Sequence, residues 1–230
     1  MDRRTWHQRR LTGLVTVVLA AVVSGCSLGS GAAEVVVEPS PGSVLRLEAQ
    51  GCGERRVGTA TRVNVGGQER VLTNRHLVVG LEHGVVDGVD LDWTQTRVSP
   101  DWDVAELDAT SAQAGESSLL TLAKDAPTSG ALVSLVGYRD GLQLTTVRAE
   151  VQVVTDGQPY GYNGEIMLLS EPTVPGFSGG PVLDRNGDVV GLLMAVDQAT
   201  DLTVAVPLST LQRVDTYSNM NRQTSICLNK

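Results

Sequence analysis

Aromatic side chains occupy only 3% of this 230-residue chain, and Phe177 is its single phenylalanine. Long helical periodicities are missing too, while Val, Thr and Gly are abundant, which points to an all-β fold. There is no basic excess: the formal net charge is −8, and a nucleic-acid partner would call for a basic face. The two cysteines beyond residue 26 lie far apart, and only His83 accompanies His76 after residue 7, so a metal site is not expected. The acidic cluster Asp87, Asp90 and Asp92 lacks the glycine and terminal glutamate spacing of a calcium loop, and reads as a solvated face. No cofactor is implied. What remains is enough chain for one domain, or two small lobes, with a proper core.

The first residues are not fold. "MDRRTWHQRR" is a basic leader, and the apolar run that follows, Leu11 to Val23, is shorter than the ~20 residues a membrane-crossing helix needs. The run closes on "VSGC", which resembles a bacterial lipobox. The expectation is a signal peptide over 1–25, a lipidated (palmitate-bearing) Cys26 as mature amino terminus, and a lipoprotein held on the outer side of the bacterial cell membrane. An ordinary signal peptide or an uncleaved anchor are the alternatives, and the paired arginines leave the export route open. Residues 1–25 carry four Arg and one Asp, so their removal would leave a net charge of −11. Only Cys52 and Cys227 would then remain, an even pair in an oxidising compartment, and a disulfide between them is expected.

Residues 26–43, rich in small residues, Ser, Pro and Gly, read as a flexible tether. From Val44 the pattern changes. Leu45, Leu47 and Ala49 alternate with Arg46, Glu48 and Gln50, the signature of a half-buried strand. A hairpin around "GGQE" follows, and then many short strand candidates separated by "DG", "NG" and "RNGD" turns. "KDAPTSG" divides them into two groups of similar size. Short strands with regular punctuation mean a barrel or sandwich. "PLSTLQRV" predicts a short closing helix with Ser209 as its N-cap. The folded domain is bounded at 44–215, with 216–230 a tail carrying Cys227. No internal repeat is apparent.

Three segments carry chemistry. "PGFSGGPV" sets Ser178 in a glycine cluster that no regular element would favour, as suits a loop whose backbone amides must approach a ligand. "LTNRHLV" sets His76 at the end of an apolar strand, and "SPDWDVAELDA" sets Asp103 just before an alternating one. A serine nucleophile needs a base, an acid to orient that base, and donors for an oxyanion. Asp101 competes with Asp103 for the acid. The apolar Val104 and Ala105 directly after Asp103 favour the latter.

Together these segments resemble the trypsin-like, chymotrypsin-fold serine proteases, in particular the compact bacterial Deg/HtrA-type and actinobacterial periplasmic branch. The order His, Asp, Ser is the same, and the resemblance runs from about Val44 to Val214. It implies two six-stranded antiparallel β-barrels with a short C-terminal helix. It also implies a hydrolase in which Ser178 attacks, His76 transfers the proton, Asp103 orients the imidazole, and the Gly176 and Ser178 amides form the oxyanion hole. Substrate would pair with Met194, Ala195 and Val196, beside a pocket walled by Thr173, Val174 and Val204. Those small and aliphatic walls predict small to medium apolar P1 side chains. The partners implied are protein or peptide substrates and, through Cys26, a membrane; nothing fixes an oligomeric state, and a monomer is favoured.

The chain departs from its zymogen-activated relatives at Phe177, where they carry an aspartate, so no ion pair with a newly cut amino terminus can form. No PDZ-like region is present. The rival function is a catalytically silent lipoprotein that keeps the fold as a peptide-binding or scaffolding surface.

Overall fold

In the computed structural model, residues 36–108, 119–213 and 221–222 are described. The leader, Cys26, the first part of the tether and Cys227 lie outside them. The first half contains β1 (Val44–Gly51), β2 (Glu54–Val65), β3 (Gln68–Thr73), α1 (Arg75–Val78), β4 (His83–Val86), β5 (Val89–Asp90), β6 (Arg97–Val98), β7 (Ala105–Leu107) and β8 (Leu120–Thr121). The second half contains β9 (Leu132–Arg139), β10 (Gln143–Asp156), β11 (Glu165–Leu169), β12 (Pro181–Leu183), β13 (Val189–Asp197), β14 (Leu202–Pro207), α2 (Leu208–Leu211) and β15 (Asn221–Arg222).

The second half closes into a six-stranded barrel in the order β10-β11-β14-β13-β12-β9. The first half, joined at one edge by β15 from the far end of the chain, forms a curled nine-stranded sheet, β15-β6-β7-β3-β2-β1-β4-β5, with β8 parallel to β2. The double-barrel expectation holds, and the first lobe refines it. Several of its strands are only two residues long, and these extend the sheet instead of completing a six-membered ring. The alternation in β1 is as expected, with Leu45, Leu47 and Ala49 buried. The β2–β3 hairpin turns on Gly66 and Gly67 alone, at φ 60° and 83°. That two-residue turn matches the strand twist, so Gln68 and Glu69 belong to β3 and not to the turn.

One buried cluster fills the first sheet around Leu47, Val71, Leu81 and Leu107, and another fills the barrel around Leu135, Met167, Phe177 and Leu193. A third joins the lobes, setting Val63, Leu72 and Val104 against Val136, Leu168 and Leu192. This shared apolar seam docks one lobe on the other by burial from water. Beside it the end of β3 meets the start of β7, Thr73 opposite Ala105.

The closing helix corrects one expectation. Its N-cap is Pro207, without a side-chain cap, and Ser209 lies inside the helix, donating its hydroxyl to Glu165 Oε2 at 2.9 Å. The chain runs directly from β14 into the helical turn, so the cap position falls on the last strand residue.

Candidate active site

The His76 segment begins where β3 ends. Asn74 is extended at φ −84°, ψ 144°, and starts the one-turn helix that carries His76. Its side chain does not cap that helix; Nδ2 donates to the Asp103 carbonyl at 3.0 Å, tying the two segments together. The Asp103 segment is positioned from its own side. Ser99 Oγ accepts the amides of Asp101 and Trp102, and the Trp102 ring packs on Gly164, where a Cβ would lie 1.9 Å from it. Arg213 covers the same ring, 5.8 Å from its centroid. Trp102 thus wedges the turn before Asp103 between the barrel and the end of α2.

These supports bring Asp103 onto His76 by two bonds. Oδ1 accepts the His76 backbone amide at 2.9 Å, and Oδ2 lies 2.7 Å from Nδ1. Asp101 does not make this contact; it is exposed. Ser178, half-buried, donates its hydroxyl to the Met194 carbonyl at 3.0 Å, its hydrogen-bond partner among the described residues. The structure therefore joins His76 to Asp103 and sets the Ser178 hydroxyl on Met194. Met194 can accept because β13 bulges there: Leu193 pairs with Ala205 and Ala195 with Val204, leaving one residue over.

The Ser178 loop is pinned to the first lobe through β2. Thr59 N–H donates to the Ser178 carbonyl at 2.8 Å, Thr59 Oγ1 to the Gly176 carbonyl at 2.7 Å, and Thr61 Oγ1 to the Gly179 carbonyl at 2.9 Å. Thr73, three residues before His76, donates to the Thr59 carbonyl at 2.7 Å. One strand residue thus ties the serine loop to the start of the histidine segment.

The peptide directions in this loop follow from who accepts what. In a trans peptide the C=O and the next N–H point opposite ways. The Pro175 carbonyl is held by the Asp140 amide at 2.7 Å, and the Phe177 carbonyl by the Gly180 amide at 2.9 Å. The N–H groups of Gly176 and Ser178 are directed away from those contacts, and neither has a backbone acceptor among the described residues. Gly176 is at φ 96°, and a Cβ there would lie 2.0 Å from the Tyr138 carbonyl, so only glycine fits. Phe177 is buried against Gly137 in the barrel core. An apolar anchor stands at the position before the serine.

Beside Asp103 lies a recess of about 190 Å³, lined by Arg75, Asp101, Trp102, Tyr162 and Met194 among others. Burial, with the charges of Asp103 and Asp197, pushes the Tyr162 phenol above its ordinary value. Of the expected pocket residues, Thr173, Val174, Ala195 and Val196 are half-buried, while Val204 is fully buried within the seam cluster. The buried Thr203, absent from the sequence reading, accepts the Thr173 amide at 2.9 Å and donates to the Glu171 carbonyl at 2.6 Å. Among the described residues no cluster of three metal-ligating side chains occurs, and no helix is long and apolar enough to cross a membrane.

A family model of the trypsin-like peptidase domain matches residues 58–192, more than half of the chain. The chain belongs to the trypsin-like peptidase family. It is similar to serine protease Rv3671c of Mycobacterium tuberculosis (strain H37Rv), 29% identical over 177 residues, covering 72% of this chain and 43% of the relative. The chain thus spans less than half the length of that curated relative. Among solved structures, the active form of Rv3671c superposes with a TM-score of 0.62 at 20% identity, covering 84% of this chain and 92% of that one. The serine endoprotease of Yersinia pestis gives 0.61 at 17%, covering 78% and 64%. At these identities the superpositions speak for the fold of a trypsin-like peptidase.

Proposed function

We propose that this trypsin-like domain is a serine endopeptidase in which Ser178, His76 and Asp103 form the catalytic triad. The observation that carries the reading is the double hydrogen bond from His76 to Asp103 beside a glycine loop whose Gly176 and Ser178 amides have no backbone acceptor among the described residues. Asp103 holds Nδ1 protonated, which leaves Nε2 as the base. The Ser178 hydroxyl turns from Met194 to the imidazole, loses its proton and attacks the scissile carbonyl. The resulting oxyanion takes the Gly176 and Ser178 amides. The imidazolium protonates the leaving amine, and water then releases the acyl group by the reverse route.

Substrate backbone adds along β13 beyond Leu193, where β12 has ended and only β14 pairs. Thr173, Val174, Ala195 and Val196, with Val204 behind them, suit small to medium apolar P1 side chains; cleavage led by Arg or Asp in a peptide library would overturn this. Cys26 lipidation is tested by mass analysis of the amino terminus and by loss of membrane fractionation in Cys26→Ala. The Cys52–Cys227 disulfide belongs to the same exported reading.

The hydroxyl resting on Met194, and not on His76, favours a second reading, a binding module without turnover. A fluorophosphonate probe on the full chain separates them. Labelling that disappears in Ser178→Ala supports the peptidase; no labelling of either protein supports the binding module.

A further inference from the structure

The orientation of the Gly176 amide depends on a contact made from the other lobe. The Arg46 side chain on β1 donates through Nε to the Gly141 carbonyl, in the turn between β9 and β10. That turn is closed by the Gly141 amide on the Tyr138 carbonyl at 2.8 Å. The preceding amide, Asp140 N–H, is the group that holds the Pro175 carbonyl. Gly176 packs directly on the same turn, its missing Cβ pointing at Tyr138 O and the Gly141 and Asp140 amides. In this turn Asp140, at φ 53°, and Leu142, 79% exposed, face outward, while Gly141 is buried against Val57 of β2, so that both Val57 and Arg46 hold it from the first lobe.

Arg46 itself is firmly placed. Its backbone exchanges two bonds with Asp87: Arg46 N–H to Oδ1 at 2.7 Å, and Asp87 N–H to the Arg46 carbonyl at 3.0 Å. Its guanidinium also pairs with Glu48. A charged donor on a carbonyl is a stronger hold than a neutral one, and here it is set on a strand at the heart of the first sheet.

We infer that Arg46 is a positioning residue for catalysis: by holding Gly141 it fixes the Asp140 amide, and so the Pro175–Gly176 peptide whose N–H faces the oxyanion. This rests on the peptidase reading above. It makes the first lobe responsible for half of an oxyanion site built entirely from second-lobe residues.

The test compares the full chain with Arg46→Gln, Arg46→Lys and Arg185→Gln on an apolar peptide amide substrate. Removing an oxyanion donor outright costs about 10²–10³ in kcat, so a loosened one in Arg46→Gln is expected to cost roughly tenfold in kcat with KM within twofold. Inhibition by a peptide boronate, whose tetrahedral adduct needs the amides, weakens in parallel, while binding of the matching product peptide does not. Lysine restores part of the rate, and Arg185→Gln, which removes an exposed guanidinium in the turn between β12 and β13, leaves it unchanged. An Arg46→Gln enzyme with unaltered kcat and boronate affinity overturns the inference, as does a loss confined to KM. Because a general loss of fold would lower product binding and the melting temperature together, that pattern with no lysine rescue also counts against it. If the unaltered chain neither hydrolyses peptides nor takes the fluorophosphonate, the peptidase reading fails first and takes this one with it.

Discussion

Asp103 engages His76 twice, through the ring at Nδ1 (2.7 Å) and through the backbone amide (2.9 Å), so ring and main chain are referenced to one carboxylate. The imidazole tautomer and the path of α1 are thereby set together. Asp103→Asn keeps the shape but replaces one acceptor with a donor. We expect kcat to fall by about 10³–10⁴ from the wrong tautomer, with the fold retained; steady-state rates and circular dichroism check it, and a loss below tenfold would sink the assigned role of Asp103.

Phe177→Ala removes the largest side chain in the barrel core and the anchor of the serine loop together. Truncating a fully buried phenylalanine costs about 3–5 kcal/mol, and the melting temperature should fall accordingly. Catalysis should suffer even at temperatures where the variant remains folded, since the Gly176–Ser178 segment loses its inward tether. Full activity per folded molecule would contradict the anchoring role.

Gly176→Ala forces a side chain into a left-handed backbone position against the Tyr138 carbonyl. The loop must shift to accept it. Hydrolysis is expected to be lost, with fluorophosphonate labelling slowed at least a hundredfold; near-normal labelling would show that the amide direction at this position is immaterial.

Glu48 is expected to contribute to acid sensitivity. The hydrogen bond from Arg55 foremost, with the charge of Arg46 adding and partial burial opposing, holds its carboxyl below the ordinary value of 4.5. A carboxyl with a lower pKa folded than unfolded stabilises the fold above the unfolded value, and that stability is lost as pH falls through the folded one. Glu48→Gln should therefore be less stable than the parent near neutrality, the gap closing as pH falls below the ordinary value of 4.5. Melting temperatures across pH decide it; a gap that does not change with pH rules the linkage out.

Reduction should lower the melting temperature markedly if Cys52 and Cys227 are bridged, because a long loop closed by a disulfide is worth up to roughly 4–5 kcal/mol in the chain-entropy account. Identical melting curves with and without reductant would exclude the bridge.

Much of the site was legible because its chemistry is concentrated in three short segments, and each segment has a local reason for its shape. The glycines around Ser178, the strand end before His76 and the apolar pair after Asp103 are visible without knowing the fold. The supports were not. Thr59 and Arg46 look like ordinary strand residues, one a β-former and the other the polar half of an alternating pattern; their bonds to Gly176, Ser178 and Gly141 exist only once the lobes dock. Trp102 likewise acquires its role from Gly164 and Arg213, far away in sequence. The Ser209 cap failed because capping propensity ignores the β14 strand that runs straight into the helix. The two-residue strands of the first sheet are too short to leave any periodic trace.

Phe177 carries a wider consequence. A loop tethered from inside its own barrel is shaped when that barrel folds, so on the peptidase reading its form does not wait on an ion pair made by a freshly cut amino terminus.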